Sequence, residues 1–224
     1  MNIDEAWGNR LHCTLLKSRD LWLAECVSGR RVLHLGCTDN PFTLARLEKG
    51  DALHPVLERA ASEIVGVDID AEGLRLLQQH CRKSRFVLWN VESTEKPVEI
   101  SGQFDVIVCA DMIEHVSNPG LMLENIRDLL APGGELLITT INAFAAKLLA
   151  RALFRKEAVH YDHVAYYSFA MLKHLCARYG YSVADEHFMY LYPWRSRLLS
   201  MMQGPFYAAF PATSDGIAVV AHVR

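Results

Sequence analysis

Residues 30–41 read RRVLHLGCTDNP, and this stretch is the clearest sign of the fold. Its first six residues form a short apolar run, typical of a strand that is buried on both faces of a sheet. The run ends at Gly36, and glycine lets a backbone turn sharply and approach a ligand closely. The stretch therefore predicts a strand followed by a tight turn at the edge of a binding site.

Four further apolar runs follow, with helical patterns between them. They are 64–68 (IVGVD), 86–89 (FVLW), 104–109 (FDVIVC) and 135–141 (ELLITTI). This alternation predicts a parallel sheet with helices on both faces. Two last runs, 181–190 and 216–223, follow each other without a clear helix and predict antiparallel strands. We therefore predict an α/β three-layer sandwich whose mostly parallel, seven-stranded sheet has an antiparallel C-terminal edge.

Length and composition fit a single domain. The chain has 224 residues, of which 51% are hydrophobic and 22% charged, and its net charge is −3. The absence of a basic excess argues against a nucleic-acid partner. We treat residues 1–224 as one domain with an N-terminal helix over 5–28. Two segments, 143–167 and 193–213, have the character of lids over a compact pocket.

The N-terminus and the cysteines bear on cellular location. The first ten residues are polar and lack the apolar core of a secretory signal. No run approaches the roughly 18–20 apolar residues that span a bilayer. The six cysteines form no Cys-x-x-Cys pair, which favours reduced thiols. We therefore expect a cytoplasmic protein without a transmembrane segment.

The strand ends carry the candidate binding residues, because ligands of such sheets lie at the carboxyl ends of the strands. Gly36 follows the first strand, and Asp68 ends the second. An acid at that second position can accept hydrogen bonds from both hydroxyls of a ribose. Asn90 follows the third strand, and residues 110–115 follow the fourth. These positions together indicate a nucleoside-type ligand.

Four quoted stretches resemble successive motifs of the class I S-adenosylmethionine-dependent methyltransferases. They are VLHLGCTDNP (32–41), VGVDID (65–70), FDVIVCADMIEHVSNP (104–119) and LLAPGGELLITTINAF (129–144). The resemblance covers about residues 30–142 and, more loosely, the rest of the chain. It implies a Rossmann-like fold, S-adenosylmethionine as methyl donor, S-adenosylhomocysteine as product, and an enzyme of the bacterial small-molecule or glycan type.

The resemblance also implies roles for the residues that match the motifs. Gly36 would lie under the methionine part of the cofactor, Asp68 would bind the ribose, and Asn90 would bond the adenine amine. The expected cofactor-binding residues are His34, Gly36, Thr38, Asp68, Ile69, Asn90, Val91, Ala110 and Met112.

Two features depart from the family pattern. His34 stands where an acid is usual, and Thr38 and Asn40 replace glycines of the turn. Residues 50–61 (GDALHPVLERAA) form an insert between the first two strands. We expect His34 to face the methionine end of the cofactor, where its ring nitrogens could orient the turn or the ammonium group. Asn tolerates positive φ, so Asn40 is expected to take the place of a glycine.

Histidines supply the candidates for catalysis. A base is needed only if the acceptor is weakly acidic, such as a hydroxyl, and His115 is the best candidate because it follows the fourth strand. His160 and His163 are further candidates whose His-x-x-His spacing could also suggest a metal. Without a third ligand we predict no metal site. Asp111 and Glu114 are interpreted as solvated or turn-forming acids.

Three functions stay open, and the first leads. It is methyl transfer from S-adenosylmethionine to a small-molecule or glycan-precursor acceptor, at oxygen. The altered turn allows a non-catalytic S-adenosylmethionine-binding partner or regulator instead. The third is a peripheral-membrane enzyme for a lipid or quinone, because Lys147, Arg151 and Arg155 recur at four-residue spacing beside apolar residues. The competing interpretation of that stretch is an ordinary helix packed on the sheet.

Overall fold

A computed structural model describes Leu11 and residues 14–157, 159–190 and 197–224, with the side chains of 197–200 excepted. The strands are β1 (Thr14–Leu16), β2 (Arg31–Leu35), β3 (Glu63–Asp68), β4 (Ser84–Leu88), β5 (Phe104–Ala110), β6 (Leu130–Ile141), β7 (Tyr181–Met189) and β8 (Gly216–Val223). The helices are α1 (Arg19–Cys26), α2 (Thr43–Lys49), α3 (Leu53–Ala60), α4 (Ala71–His80), α5 (Pro119–Arg127), α6 (Ala146–Leu153), α7 (Phe169–Arg178) and α8 (Arg197–Ala209).

All eight strands form one sheet in the order β1-β7-β8-β6-β5-β2-β3-β4. The pairs β2–β3, β2–β5, β3–β4, β5–β6 and β1–β7 are parallel. Strand β8 runs antiparallel to both of its neighbours, β6 and β7. The Rossmann-like α/β fold and the five predicted parallel strands are confirmed.

The predicted antiparallel pairing of the C-terminal strands is confirmed, whereas the number of strands and the edge of the sheet differ from the prediction. The sheet has eight strands rather than seven, and the antiparallel strand β8 lies inside the sheet between β6 and β7. The predicted edge is instead formed by β1, which pairs with residues 187–189 of β7. This pairing satisfies backbone groups that β7 would otherwise leave open on that side.

The extra strand falls within the predicted N-terminal helix. Thr14–Leu16 is extended, and the described helix of this region is α1, which starts only at Arg19. Ser18 caps it by accepting a hydrogen bond from the Leu21 N–H at 3.3 Å. A serine N-cap ends the extended chain and starts the helix, so the prediction of one helix over 5–28 is wrong in this part. The remainder of 5–13, apart from Leu11, lies outside the described residues.

The helices cover both faces of the sheet and build its core. On one face α5 and α7 bury Leu123, Leu172 and their neighbours against Leu33 and Ile107 of the central strands. On the other face α1 and α3 bury Leu23, Leu57 and other apolar side chains against β2, β5 and β6. Alternate residues of β2 therefore point to opposite layers, which places His34 on the side of α3.

The two lid-like segments are both attached to the sheet. The Ala143 N–H donates to the Tyr167 carbonyl at 2.9 Å, so the segment 143–167 leaves and returns at one point. The segment 193–213 contains α8, whose buried Tyr207 donates through its hydroxyl to Asp215 at 3.1 Å. Among the helices of the described ranges, none has the length and apolar character needed to cross a bilayer.

Candidate active site

A cleft of about 1330 Å³ lies at the carboxyl ends of the parallel strands. Its lining contains every residue for which the sequence predicted a role in cofactor binding or catalysis. These are His34, Gly36, Thr38, Asp68, Ile69, Asn90, Val91, Ala110, Met112 and His115, and the further candidates His160 and His163. The structure thus brings the predicted residues together, as expected for the ends of neighbouring parallel strands.

Gly36 forms a cradle that a side chain would fill. Its φ is +63°, in the left-handed region that favours glycine. A Cβ atom at this position would lie 2.8 Å from Cγ of Met112. The turn therefore requires glycine at position 36 for two reasons, its backbone conformation and the close approach of Met112.

Asp68 holds the same turn in place. Its Oδ2 accepts from the Thr38 N–H at 2.9 Å, while Oδ1 accepts from the N–H groups of Ile69 at 2.8 Å and Asp70 at 3.0 Å. A carboxylate offers about four lone-pair sites, so capacity for a ribose hydroxyl is left. Sequence reasoning missed this structural role, because an acid after a strand does not reveal its backbone partners.

Asn90 and Val91 form the far wall of the cleft. The Asn90 Oδ1 accepts from the Glu92 N–H at 2.9 Å, which fixes the side chain in a local turn. Val91 is buried, whereas Ile69 on the rim is 71% exposed. Asn40 differs from its prediction, since it lies outside the residues with positive φ and precedes Pro41 in the turn.

His34 belongs to a buried chain of hydrogen bonds that the sequence did not reveal. Its Nδ1 lies 3.0 Å from Nδ1 of His54, and His54 Nε2 lies 3.0 Å from the Ser84 hydroxyl. That hydroxyl donates to Glu58 at 2.9 Å. His54 and Glu58 both come from α3, the helix of the insert.

This chain sets the proton positions on both rings. Because the Ser84 hydroxyl donates to Glu58, it accepts from His54, whose Nε2 must carry hydrogen. Burial lowers the pKa of His54 to about 3 and that of His34 well below its ordinary value, so both rings are neutral. His54 Nδ1 is then an acceptor, His34 Nδ1 is the donor, and His34 Nε2 keeps a free lone pair. That Nε2 is buried and has no hydrogen-bond partner among the described residues.

The two acids after β5 are not the solvated groups that the sequence suggested. Asp111, with φ of 49°, forms an ion pair with Arg19 and accepts from the Thr139 hydroxyl at 3.0 Å. Glu114 is 1% exposed and accepts from the Thr140 hydroxyl at 2.7 Å. Burial, followed by the negative charge of Asp111, raises the pKa of Glu114 to about 8. Of the two interpretations of Glu114, a solvated acid is wrong, because its hydrogen bond to Thr140 on β6 is buried, whereas a turn-forming acid agrees with its place in the turn Ile113–His115.

His115 ends the short 3₁₀ turn Ile113–His115 at the mouth of the cleft. Its backbone N–H donates to the Met112 carbonyl at 2.9 Å, and its Nδ1 lies 3.2 Å from Asp162 Oδ2. An ionised carboxylate only accepts, so Nδ1 donates, and in the neutral ring Nε2 is then the acceptor.

Two more imidazole rings contact that of His115. The ring centroids of His160 and His163 lie 5.6 Å and 4.6 Å from that of His115. Burial, with the neighbouring rings of His115 and His160, lowers the pKa of His163 to about 4. The Val164 N–H donates to the Glu114 carbonyl at 2.8 Å, which ties this part of the segment 143–167 to the turn.

The cleft fits S-adenosylmethionine on two observations. The Gly36 cradle gives the backbone access to a ligand, and the orphaned His34 Nε2 offers an acceptor on the wall of the same cleft. An ammonium group such as that of the methionine moiety is a donor of the matching kind.

Comparisons with known proteins agree with this geometry. The family profile described as "Methyltransferase domain" matches residues 7–186. A ubiquinone biosynthesis O-methyltransferase of Xanthomonas axonopodis pv. citri (strain 306) is 30% identical over 181 residues, which cover 76% of this chain and 70% of that protein. Its counterpart from Psychrobacter arcticus is 31% identical over 125 residues, 52% of this chain and 42% of that protein. The chain therefore spans less than half the length of some relatives it matches.

Solved structures share the fold at low identity. The magnesium protoporphyrin IX methyltransferase of Synechocystis PCC 6803, solved with bound S-adenosylhomocysteine, has a TM-score of 0.59 at 14% identity over 92% of this chain and 80% of that chain. An S-adenosylmethionine-dependent methyltransferase of Mesorhizobium loti has a TM-score of 0.57 at 15% identity over 90% and 95% of the two chains. Fold, strand-end motifs and family profile agree, and the chain belongs to the class I S-adenosylmethionine-dependent methyltransferase family.

Proposed function

We propose that the protein transfers a methyl group from S-adenosylmethionine to a hydroxyl oxygen of a small-molecule or glycan-precursor acceptor. The observation that carries this proposal is the place of His115. It lies one 3₁₀ turn beyond Met112, which covers the Gly36 cradle, and its Nε2 is an acceptor at the cleft mouth. The names of the relatives support oxygen as the accepting atom.

The chemistry divides between donor and protein. S-adenosylmethionine supplies a methyl group on a sulfonium, which is a good leaving group. The cleft residues orient the acceptor, and positioning alone can lower a barrier by about 7–11 kcal/mol. His115 accepts the hydroxyl proton at Nε2, while Asp162 at Nδ1 holds the ring in the required tautomer.

A turnover assay tests the role of His115. Methyl transfer from labelled S-adenosylmethionine is measured over a panel of phenols, catechols and sugar derivatives. His115→Ala should lower turnover by about 10²–10⁴-fold with cofactor affinity unchanged, and His115→Gln should not restore it, since an amide cannot take the proton. The exposed His174 on α7 provides the matched control, and His174→Ala should keep full turnover.

Two outcomes would contradict the proposal. Near-native turnover of His115→Ala would show that His115 is not the base. Tight binding of S-adenosylmethionine without turnover of any hydroxyl, thiol or amine acceptor would instead favour the non-catalytic cofactor-binding partner.

Cytoplasmic location stays a prediction. The five cysteines among the described residues are free thiols.

Helix α6 favours a second candidate, a peripheral-membrane enzyme for a lipid or quinone. It does not pack on the sheet as an ordinary helix would, since it has no buried residue. Leu149 is 61% exposed and Leu153 76% exposed, and the same helix carries the exposed Arg151, whereas its Lys147 pairs with the buried Asp215 at 3.3 Å. Apolar and basic side chains so combined suit an anionic membrane surface.

Vesicle flotation separates this candidate from the first. Vesicles with and without anionic lipid are mixed with the protein, and the floating fraction is measured. Leu149→Ser with Leu153→Ser should reduce flotation on anionic vesicles, whereas Val98→Ser, at a 90% exposed apolar position elsewhere, should not. Equal flotation of all variants would reject α6 as the membrane-binding element, and no flotation of the native protein would reject membrane association.

A further inference from the structure

Three histidines from two separate parts of the chain lie together at the mouth of the cleft. His115 ends the 3₁₀ turn after β5, and His160 and His163 belong to the segment 143–167. One ring nitrogen of each lies within 4.8 Å of those of the other two. The His-x-x-His spacing was visible in the sequence without a third ligand, and folding supplies that ligand across 45 residues of chain (160 − 115).

The distances are close to those of a bound ion. Tetrahedral zinc binds imidazole nitrogens at about 2.0–2.1 Å, which sets neighbouring nitrogens about 3.4 Å apart. Nitrogens within 4.8 Å of one another reach that spacing by small rotations of the side chains. His160 is exposed, and its ring is held by a long contact of 3.4 Å from the Asp162 N–H to Nδ1, so it has freedom to turn.

Two independent observations are typical of a metal site. Asp162 accepts from Nδ1 of His115, which fixes the tautomer and aims Nε2 away from the carboxylate. Histidine ligands of metal ions are ordinarily held by such a carboxylate or carbonyl. In addition, Nδ1 of His163 is buried and has no hydrogen-bond partner among the described residues. A buried nitrogen without a partner is costly unless a ligand satisfies it.

We propose that His115, His160 and His163 bind a divalent transition metal ion, zinc foremost, at the mouth of the cleft. Three neutral imidazoles suit a borderline ion such as Zn²⁺, and catalytic zinc sites keep a fourth position open. All three histidines line the cleft, so that position faces the space for the acceptor.

The role of the ion rests on the proposed O-methyl transfer. An acceptor hydroxyl bound at the fourth position loses its proton to water more readily, because zinc lowers the pKa of a bound water to about 7. In the metal-loaded protein, His115 Nε2 is a ligand and no longer the proton acceptor. The two roles of His115 are therefore separable, since a base requires His115 alone and a metal site requires all three imidazoles.

Zinc titration of the 224-residue chain against a chromogenic chelator tests the site without reference to activity. The native protein should bind one equivalent. Loss of a ligand in His115→Ala, His160→Ala or His163→Ala should weaken binding by more than the about 10–100-fold expected for Asp162→Ala, which removes only the carboxylate behind His115. His174→Ala, which changes an exposed histidine outside the cluster, should bind zinc as the native protein does.

Cobalt replaces zinc as a spectroscopic probe. A tetrahedral site of nitrogen ligands gives visible absorption bands without a sulfur-to-cobalt charge-transfer band, which distinguishes the imidazoles from the free cysteines. Retention of each variant's S-adenosylmethionine affinity shows that it is folded. Absence of zinc binding, binding that survives all three histidine variants, or a cobalt–thiolate band would overturn the proposed site.

Turnover then tests the role of the ion. If the bound ion acts on the acceptor, chelation abolishes turnover, zinc restores it, and His160→Ala and His163→Ala are as impaired as His115→Ala. Turnover that is unaffected by chelation overturns this role. If no hydroxyl acceptor is methylated at all, the proposed function fails, while the zinc and cobalt titrations still decide whether the site exists.

Discussion

Replacing Ser84 by alanine should weaken S-adenosylmethionine binding, although Ser84 is outside the cleft lining. The Ser84 hydroxyl accepts from Nε2 of His54, and this bond determines which nitrogen of His34 keeps a lone pair. Without it, the two neutral rings can exchange tautomers, so that His54 donates from Nδ1 and His34 Nε2 gains the proton. His34 then presents a donor to the cofactor's ammonium group, and the attraction is lost.

The expected magnitude follows from two competing costs. Keeping the native tautomer leaves the buried N–H of His54 without a partner, which costs about 1–3 kcal/mol. Exchanging tautomers forfeits a hydrogen bond to a charged donor, worth about 1.5–3 kcal/mol. In the free variant the exchanged tautomer directs the N–H of His34 toward the cleft, so that binding adds one of these two costs, and affinity should fall by about 1–3 kcal/mol, or roughly 5–150-fold.

Calorimetry with two ligands isolates this effect. S-adenosylmethionine carries the ammonium group, whereas 5′-methylthioadenosine keeps the nucleoside and lacks the amino-acid part. Ser84→Ala should weaken the first and leave the second unchanged. Ser214→Ala, at another buried serine, is the control and should change neither. Equal weakening of both ligands by Ser84→Ala, or none, would refute the relay from Ser84 to His34.

Three further variants test the cleft. Asp68→Asn should lower both S-adenosylmethionine affinity by calorimetry and the melting temperature, because the charged acceptor of three backbone N–H groups is lost; an unchanged affinity would remove Asp68 from the site. Gly36→Ala should abolish cofactor binding while circular dichroism stays native, and adding Met112→Ala should not rescue it, since the strain at φ +63° persists. Glu114, with a pKa raised to about 8, stabilises the fold below its unfolded-state pKa and loses this stabilisation as pH rises through 8. Glu114→Gln should therefore flatten the fall in melting temperature between pH 5 and 8 (about the range that the two pKa values span), and an unaltered profile would contradict the assigned pKa.

The parallel strands and their functional ends could be predicted because their signals are local. Each strand is a continuous apolar run, and Gly36 or Asp68 follows directly at its end. Once the runs are recognised, the rules for parallel sheets place these ends together. All nine expected cofactor-binding residues accordingly line one cleft.

What could not be predicted depends on partners far along the chain. Strand β1 has three residues and exists through its pairing with residues 187–189 of β7. Glu114 becomes buried through Thr140 on another strand. Neither contact leaves a local pattern in the sequence. The residues of β1 were therefore predicted as part of a helix, and Glu114 was interpreted as a solvated or turn-forming acid.

His54 shows how an insert can compensate for a substitution. His34 replaces the usual acid of the first strand, and the insert carries the histidine that hydrogen-bonds to it. A histidine on an apolar helix face is ordinarily interpreted as a core residue, so the hydrogen bond between His34 and His54 could not be predicted. The usable signal was the coincidence of two departures from the family pattern in one chain.

The ion pair between Arg19 and Asp111 has a consequence for the order of folding. It joins the first described helix to the end of β5, 92 residues later, across the wall of the cleft. Contacts between residues so distant in sequence form late, because closing the intervening loop costs entropy that earlier contacts must first offset. During refolding, the cleft should therefore become able to hold a nucleoside only after this late contact has formed. Newly made chains would therefore not compete for the cell's methyl donor until that step is complete.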